Sequence, residues 1–182
     1  MGAQIGLLTG AVGTGKSTIA GRVVDLARQQ GVVCGGLLAP ALVDHDGHKI
    51  GIWGVDISTG ERRLLARIGD GLGGPAIGPY SFDAAALAWA LSVLEAALGP
   101  CDLLLVDEIG KLELWHNAGL APILPRLAAG DARRALVVVR DSLLAGLQAR
   151  LGTIGQVVFR VHAQNREELP GQILHSLMTP AT

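Results

Sequence analysis

A run of eight residues near the start of the chain has the spacing of a phosphate-binding loop. Residues 10–17 have the sequence GAVGTGKS, which matches GxxxxGKS, and they lie between an apolar run and a helical pattern. The glycines let backbone N–H groups face phosphate oxygens, the lysine binds the β- and γ-phosphates, and the serine hydroxyl ligates Mg²⁺. The residues that we expect to bind the nucleotide here are Gly10, Ala11, Val12, Gly13, Thr14, Gly15, Lys16, Ser17 and Thr18.

Two adjacent carboxylates follow a strongly apolar segment in the middle of the chain. Residues 102–106 predict a strand buried on both faces, and Asp107 and Glu108 come at its end. In open α/β sheets, ligands bind beyond the carboxyl ends of the strands, where the phosphate loop also lies. We therefore expect Asp107 to hold Mg²⁺ together with Ser17, and Glu108 to orient or deprotonate the attacking water. The alternative is a strand that simply ends in solvated acids.

Strands and helices alternate along the chain that must position these groups. The pattern predicts strands at 5–8, 32–38, 102–106, 135–139 and 156–161, with helices after each, including one at 118–129. This order predicts an α/β fold, a P-loop NTPase three-layer α/β/α sandwich with a mostly parallel sheet, in a single domain over 1–182. Turn signals at Asp46-Gly47 and Thr59-Gly60 predict an inserted β-hairpin over about 40–68. The Gly- and Pro-rich segment 69–79 predicts a mobile loop.

The segment that begins with the two acids also resembles a family signature. Residues 107–114, DEIGKLEL, resemble the DEIGK-hydrophobic-E signature of the thermophile-type nucleoside-triphosphatase family, which includes the cancer-related nucleoside-triphosphatase. Gly35-Gly36 and the segments 47–51, 56–61 and 164–169 resemble further motifs of that family in the same order. The resemblance implies a slow, Mg²⁺-dependent hydrolase of NTPs with broad base tolerance. It also implies phosphate-loop roles for Gly10, Gly15, Lys16 and Ser17, a Walker B role for Asp107 and the water-positioning role for Glu108.

Two cations beside these acids each have two interpretations. Lys111 belongs to the signature and could act in catalysis at the γ-phosphate, or it could be a solvated loop lysine. Arg140 follows the apolar strand 135–139, so it emerges at the same sheet edge as Asp107. There it could stabilise transferred charge as an arginine finger in cis, or form a salt bridge with Asp141 or another carboxylate.

Two further polar clusters are open in the same way. Asn165 and Arg166 could contact the base of the nucleotide, but Asn165 with Glu168 three residues later also fits a helix cap. The segment 44–48, DHDGH, has the residue types of a metal site, but its Asp-Gly pair is also an ordinary hairpin turn, which we favour.

Three functions are consistent with this phosphate loop. Hydrolysis of NTP to NDP and phosphate is favoured by Glu108 directly after the Walker B aspartate. A small-molecule or nucleotide kinase would need a lid over its acceptor, and Arg133 and Arg134 keep this alternative open. A GTPase-type switch would use the DxxG pattern at 107–110, but the sequence contains no NKxD motif to recognise guanine.

The composition limits the partners. The net charge is −1 and 17% of residues are charged, so no basic field favours nucleic acid or a membrane surface. No apolar run approaches the ~18 residues of a membrane span, and no basic segment precedes an apolar stretch at the N-terminus. Cys34 and Cys101 match no metal or redox spacing and predict buried thiols in a reducing compartment. We expect a cytoplasmic protein that binds ATP, GTP or another NTP, while its oligomeric state stays open.

Overall fold

The computed structural model describes residues 3–69 and 71–179. Its helices are α1 (Lys16–Gln29), α2 (Ala84–Ala97), α3 (Lys111–His116), α4 (Ile123–Ala128), α5 (Leu144–Leu151) and α6 (Leu169–Met178), with a 3-10 turn at Asp141–Leu143. Its strands are β1 (Gln4–Thr9), β2 (Cys34–Leu38), β3 (Ala41–Val43), β4 (Lys49–Asp56), β5 (Arg62–Ile68), β6 (Gly73–Ile77), β7 (Tyr80–Asp83), β8 (Leu103–Ile109), β9 (Arg134–Val139) and β10 (Gly155–Arg160). All of these strands belong to one sheet.

One half of the sheet is parallel and carries the helices on both faces. Strands β10, β1, β9, β8 and β2 lie side by side in that order, and each pair is parallel. One face is covered by apolar side chains of α2, α4 and α5, and the other by those of α1 and α6. The uninterrupted apolar sequence of β8 is explained by this position, because both of its faces are buried. The predicted three-layer α/β/α sandwich is confirmed.

The other half of the sheet is an antiparallel extension that is larger than the predicted hairpin. It begins where β4 pairs antiparallel with β2, and it continues through β5 and β7 to β6. The prediction that 69–79 forms a loop is wrong in part, because 73–77 is strand β6 at the edge of the sheet. Pro75 is tolerated there because an edge strand needs no donor on its outer side. Asp70 lies outside the described residues.

The predicted helix at 118–129 is also wrong in its first half. The short helix α3 comes earlier and ends at His116, and its C-cap Asn117 has a left-handed φ of 50°. Turns lead from there to Pro122, and only 123–128 are helical as α4. The apolar pattern of this region therefore belongs to two short helices rather than to one long helix.

The composition led us to expect buried thiols and no apolar run long enough to span a membrane, and the structure bears on both expectations. Cys34 is buried and Cys101 is half-buried, and both are free thiols. Burial raises the pKa of Cys34 to about 11, so its reactive thiolate is scarce at neutral pH. Within residues 3–69 and 71–179, no helix combines the length and the hydropathy that crossing a bilayer requires.

Candidate active site

The phosphate loop connects β1 to α1 and owes its shape to glycine. Gly13 and Gly15 have φ values of 79° and 82°, a left-handed conformation that other residues adopt only with strain. At Gly15 an added Cβ would also lie 2.5 Å from Nη2 of Arg166, so the Arg166 guanidinium would have to move. Gly15 is also the N-cap of α1 and offers no side chain to its first N–H groups. These N–H groups can therefore serve an anion in the loop.

Lys16 is folded back over this loop. Its Nζ donates to the carbonyl oxygens of Gly10 at 3.0 Å and of Ala11 at 2.7 Å. Burial lowers the pKa of Lys16, and the positive charge of Arg140 lowers it further. A phosphate group in the loop would offset both effects, because its negative charge stabilises the ammonium form.

Asp107 lies at the end of β8 and is almost completely buried. Its Oδ2 accepts a hydrogen bond from the Ala39 amide at 2.9 Å, whereas its Oδ1 has no hydrogen-bond partner among the described residues. Burial, together with the negative charge of the neighbouring Glu108, raises the pKa of Asp107 to about 7. The Ser17 hydroxyl approaches the same place, 3.4 Å from the Ala39 carbonyl oxygen. An unpartnered carboxylate oxygen beside a hydroxyl is a donor set that suits Mg²⁺, so the residues present fit this ion.

The neighbouring Glu108 turns out of the strand by an unusual backbone conformation. Its φ is 72°, and the register between β8 and β9 shifts between Val106 and Ile109. This bulge separates the Glu108 side chain from that of Asp107. Glu108 Oε1 accepts a hydrogen bond from Nη2 of Arg140 at 3.2 Å. Arg140 was expected to be either an arginine finger or a salt-bridge partner of a carboxylate. The structure contains the salt bridge, and the carboxylate is that of Glu108.

Lys49 is a third cation in this group, and sequence reasoning missed it. It begins β4 in the antiparallel extension, and its Nζ lies 3.9 Å from Oε1 of Glu108 and 5.6 Å from the ring centroid of Tyr80. The available signals were weak: Lys49 is one of three lysines in the chain, and it lies in a segment that resembles a family motif. Nothing local indicates that the extension places its first strand beside the end of β8.

These groups surround one cavity of about 610 Å³ beside the phosphate loop. The cavity combines the nest of backbone N–H groups with the two acids, and Lys49 lines it beside Glu108. The predicted site residues that line it are Val12, Gly13, Gly15, Lys16, Ser17, Thr18, Asp107, Glu108 and Arg140. Gly10, Ala11 and Thr14 shape the loop itself; the Thr14 hydroxyl donates to the Ala11 carbonyl oxygen at 2.9 Å.

Three other predicted residues lie at different distances from this cavity. The turn at Gly110 carries Lys111 away from the phosphate loop, and its Nζ lies 4.9 Å above the Trp115 ring. The Asn165 side chain accepts from the His162 amide and donates to the Arg160 carbonyl, so it shapes the turn after β10. The Arg166 guanidinium contacts Gly15 and so reaches the phosphate loop. The catalytic role of Lys111 and the base contacts of Asn165 and Arg166 stay predictions.

Two buried or bridging acids hold the elements of the site in place. Asp141, the alternative partner of Arg140, instead accepts a hydrogen bond from Thr9 at 2.9 Å and pairs with Arg160. It thereby joins the ends of β1, β9 and β10 below the phosphate loop. Glu113 is buried and accepts from the backbone amides of Gly110 at 2.9 Å and Leu120 at 3.2 Å. Glu113, the final glutamate of the DEIGK-hydrophobic-E signature, therefore stabilises the turn that follows Glu108.

The alternative metal cluster is confined to the hairpin turn. The ligand atoms of Asp44, Asp46 and His48 lie within 4.8 Å of one another, and two of these residues are exposed. Asp44 Oδ1 accepts from the backbone amides of Asp46 and His48 at 2.9 and 2.8 Å. These bonds are the ordinary stabilisation of an Asp-containing turn.

A phosphate loop with a buried aspartate and a glutamate at the same edge of a parallel sheet defines a P-loop nucleotide hydrolase. Comparison with known proteins agrees: residues 6–174 match the model of a family described as NTPase. Nucleoside-triphosphatase THEP1 of Methanopyrus kandleri is 34% identical over 176 residues, covering 94% of either chain. THEP1 of Hyperthermus butylicus is 33% identical over 172 residues, covering 94% of this chain and 89% of its own.

A solved structure shares the fold. The crystal structure of THEP1 from Aquifex aeolicus superposes with a TM-score of 0.75 at 18% identity, covering 96% of this chain and 99% of that one. The chain belongs to the NTPase family, and its reaction is the hydrolysis of nucleoside triphosphates.

Proposed function

We propose that this hydrolase is a Mg²⁺-dependent nucleoside-triphosphatase that releases NDP and phosphate slowly and accepts several bases. The observation that carries the proposal is the Glu108 carboxylate, which lies next to Asp107 in the phosphate-loop cavity and within reach of Arg140 and Lys49. A carboxylate in this position can take the proton of a water molecule that attacks the γ-phosphorus.

The reaction needs groups that hold the triphosphate and groups that act on water. The loop amides and Lys16 bind the β- and γ-phosphates, so that a phosphate oxygen replaces the carbonyl partners of Lys16 Nζ. Glu108 holds the water and accepts its proton while the oxygen–phosphorus bond forms. The bond between the γ-phosphorus and the bridging oxygen breaks, and NDP leaves with the electron pair. Lys49 and Arg140 lie where they can balance the charge that develops.

Mg²⁺ is the cofactor that we propose for this site. Ser17 and Asp107 would hold it, because a hydroxyl and a buried, unpartnered carboxylate oxygen meet there. When bound, the ion neutralises charge on the phosphate oxygens.

Slow turnover is supported by the engagement of Arg140. Its guanidinium is already paired with Glu108 at 3.2 Å, so both groups must rearrange before one acts on water and the other on the γ-phosphate. P-loop hydrolysis without an arginine finger can be as slow as about 10⁻⁴ s⁻¹, and with one in cis about 10⁻² s⁻¹ is typical of some members. Broad base tolerance is supported by the contacts of the loop, because backbone N–H groups and Lys16 bind phosphates irrespective of the base.

The test is phosphate release from ATP, GTP, CTP and UTP by the purified protein, with Mg²⁺ and with EDTA. We expect all four to be hydrolysed with kcat values within about tenfold of one another and below about 1 s⁻¹. We expect EDTA to abolish release because the γ-phosphate charge is then poorly balanced. Hydrolysis of a single NTP, turnover of many per second, or full activity in EDTA would each contradict one part of the proposal.

Lys49 provides a more specific prediction. Replacing Lys49 by Ala is expected to lower kcat by roughly 10²-fold, the lower end of the 10²- to 10³-fold cost of removing one donor to developing charge. The Kd for the NDP product should change little, since the loop and Lys16 bind the diphosphate. Lys49→Arg is the matched control, because it keeps the charge and should retain most of the activity. An Ala variant with wild-type kcat would remove Lys49 from the reaction.

A further inference from the structure

A second cavity lies on the other side of the two acids. It has a volume of about 380 Å³, within the range of about 300 to 1,000 Å³ that is typical of small-molecule sites. Most of its lining comes from the antiparallel extension and from the segment that contains α3. Ala76 and Phe82 of the extension and Trp115 of α3 are among the residues that line it.

The two cavities share a wall. Ala39, Asp107, Glu108 and Arg140 line both of them, whereas Lys16 and Ser17 line only the phosphate-loop cavity in the described part of the chain. If the γ-phosphate lies at the two acids, as the proposed function requires, a molecule in the second cavity has one end beside that phosphate. The other end lies between the aromatic side chains, away from the phosphate loop.

The chemistry of the lining indicates what this molecule is. Tyr80, Phe82 and Trp115 offer aromatic surfaces that favour a flat ring. The charged side chains at the shared wall are Asp107, Glu108 and Arg140. Arg140 already pairs with Glu108, so this wall has no excess positive charge to hold an anionic acceptor, whereas Glu108 can accept a hydrogen bond from a hydroxyl. The volume accommodates a ring with a sugar-sized polar part. A neutral, ring-bearing alcohol the size of a nucleoside meets these three conditions.

We propose that the second cavity is an acceptor site, at which the protein transfers the γ-phosphoryl group of an NTP to the hydroxyl of a nucleoside. The hydroxyl oxygen forms a bond to the γ-phosphorus, and its proton passes to Glu108. The bond from the γ-phosphorus to the bridging oxygen breaks, and NDP leaves with the electron pair. The products are NDP and a nucleoside monophosphate, and hydrolysis is the same reaction with water in place of the alcohol.

The experiment follows the label of [γ-³²P]ATP incubated with Mg²⁺ and adenosine, guanosine, cytidine or uridine in turn. We expect at least one nucleoside to yield labelled monophosphate with saturable dependence on its concentration. Ala76→Trp should fill the cavity and lower the ratio of transfer to hydrolysis at least tenfold relative to the size-matched Ala76→Ser. If Ala76→Trp fails to fold, Trp115→Leu decides, because loss of the stacking surface should raise the KM for the nucleoside at least about fivefold.

Other results overturn the proposal. If the label appears only in inorganic phosphate with all four nucleosides, the proposal of an acceptor site is wrong and the proposed hydrolysis is unaffected. An unchanged transfer ratio in a folded Ala76→Trp places the acceptor elsewhere. Transfer only to nucleoside monophosphates, added as a separate arm, contradicts a neutral alcohol. A further outcome is that nucleoside is phosphorylated, but no phosphate is released when nucleoside is left out. That result would support the acceptor site and contradict the proposed hydrolysis. Failure of the acceptor site and failure of the proposed function are therefore distinguishable.

Discussion

Replacing Glu108 by Gln is expected to lower NTP hydrolysis by about 10²- to 10⁴-fold, the usual contribution of a general base. The amide cannot take the proton of the attacking water, although it can still hydrogen-bond to it. Nucleotide affinity should stay the same or rise slightly. The substitution removes a negative charge near the γ-phosphate and releases Arg140 and Lys49 from their shared partner. Single-turnover phosphate release and titration with a fluorescent nucleotide measure the two quantities separately.

The control for this variant is Glu95→Gln, which removes the same charge from the exposed face of α2. It should leave both the release rate and the affinity at wild-type values. Unchanged hydrolysis in Glu108→Gln would exclude Glu108 as the base. Equal losses of binding and turnover would indicate instead that the substitution disturbs the bulge at the end of β8.

Replacing Lys16 by Ala is expected to weaken the binding of NTP at least about 100-fold. Hydrogen bonds to charged groups contribute about 1.5 to 3 kcal/mol, and Lys16 serves two phosphates. About 2.7 kcal/mol corresponds to that loss in Kd. Turnover should fall further even at saturating nucleotide, because the same ammonium balances charge that develops during transfer. Calorimetric titration with ADP and with a non-hydrolysable ATP analogue gives the two affinities.

Arg63→Ala is a charge-matched control for Lys16, because Arg63 is an exposed cation on β5 that pairs with Glu61. It should bind nucleotide as the wild type does. The folded state of Lys16→Ala should be intact, since the side chain bonds only to loop carbonyls and no core packing is lost. Retained affinity in this variant would show that the glycine-rich loop does not bind the triphosphate.

The parts of the site that lie on one continuous segment were predictable from the sequence. The phosphate loop is built by backbone conformation within eight residues, and its glycines and lysine are visible as a spacing. Asp107 was predictable because an apolar strand that ends in an acid needs no knowledge of distant contacts. Lys49 was not, since its position depends on how β4 pairs with β2, and a register over distant residues leaves no local pattern.

The errors in the fold have the same origin. Strand β6 was predicted to be a loop because its glycines and Pro75 are unfavourable in an isolated strand. In the protein its pairing with β7 supplies the hydrogen bonds. Glu108 was expected at the shared edge, but its left-handed backbone was not. In a regular strand successive side chains already point to opposite faces, so nothing in the sequence required a special conformation to separate Glu108 from Asp107. The bulge that turns it appears only when β8 and β9 are paired.

The φ of 72° at Glu108 means that the proposed catalytic base is held in a strained backbone conformation. A non-glycine residue held in this region costs about 1 to 3 kcal/mol, and glycine would relieve much of that cost. Glu108→Gly would therefore lose this backbone strain, but it would also lose the ion pairs with Arg140 and Lys49 and the proposed base. Any stability screen of this chain has to be paired with an activity measurement, because relief of strain at this position comes with a loss of hydrolysis.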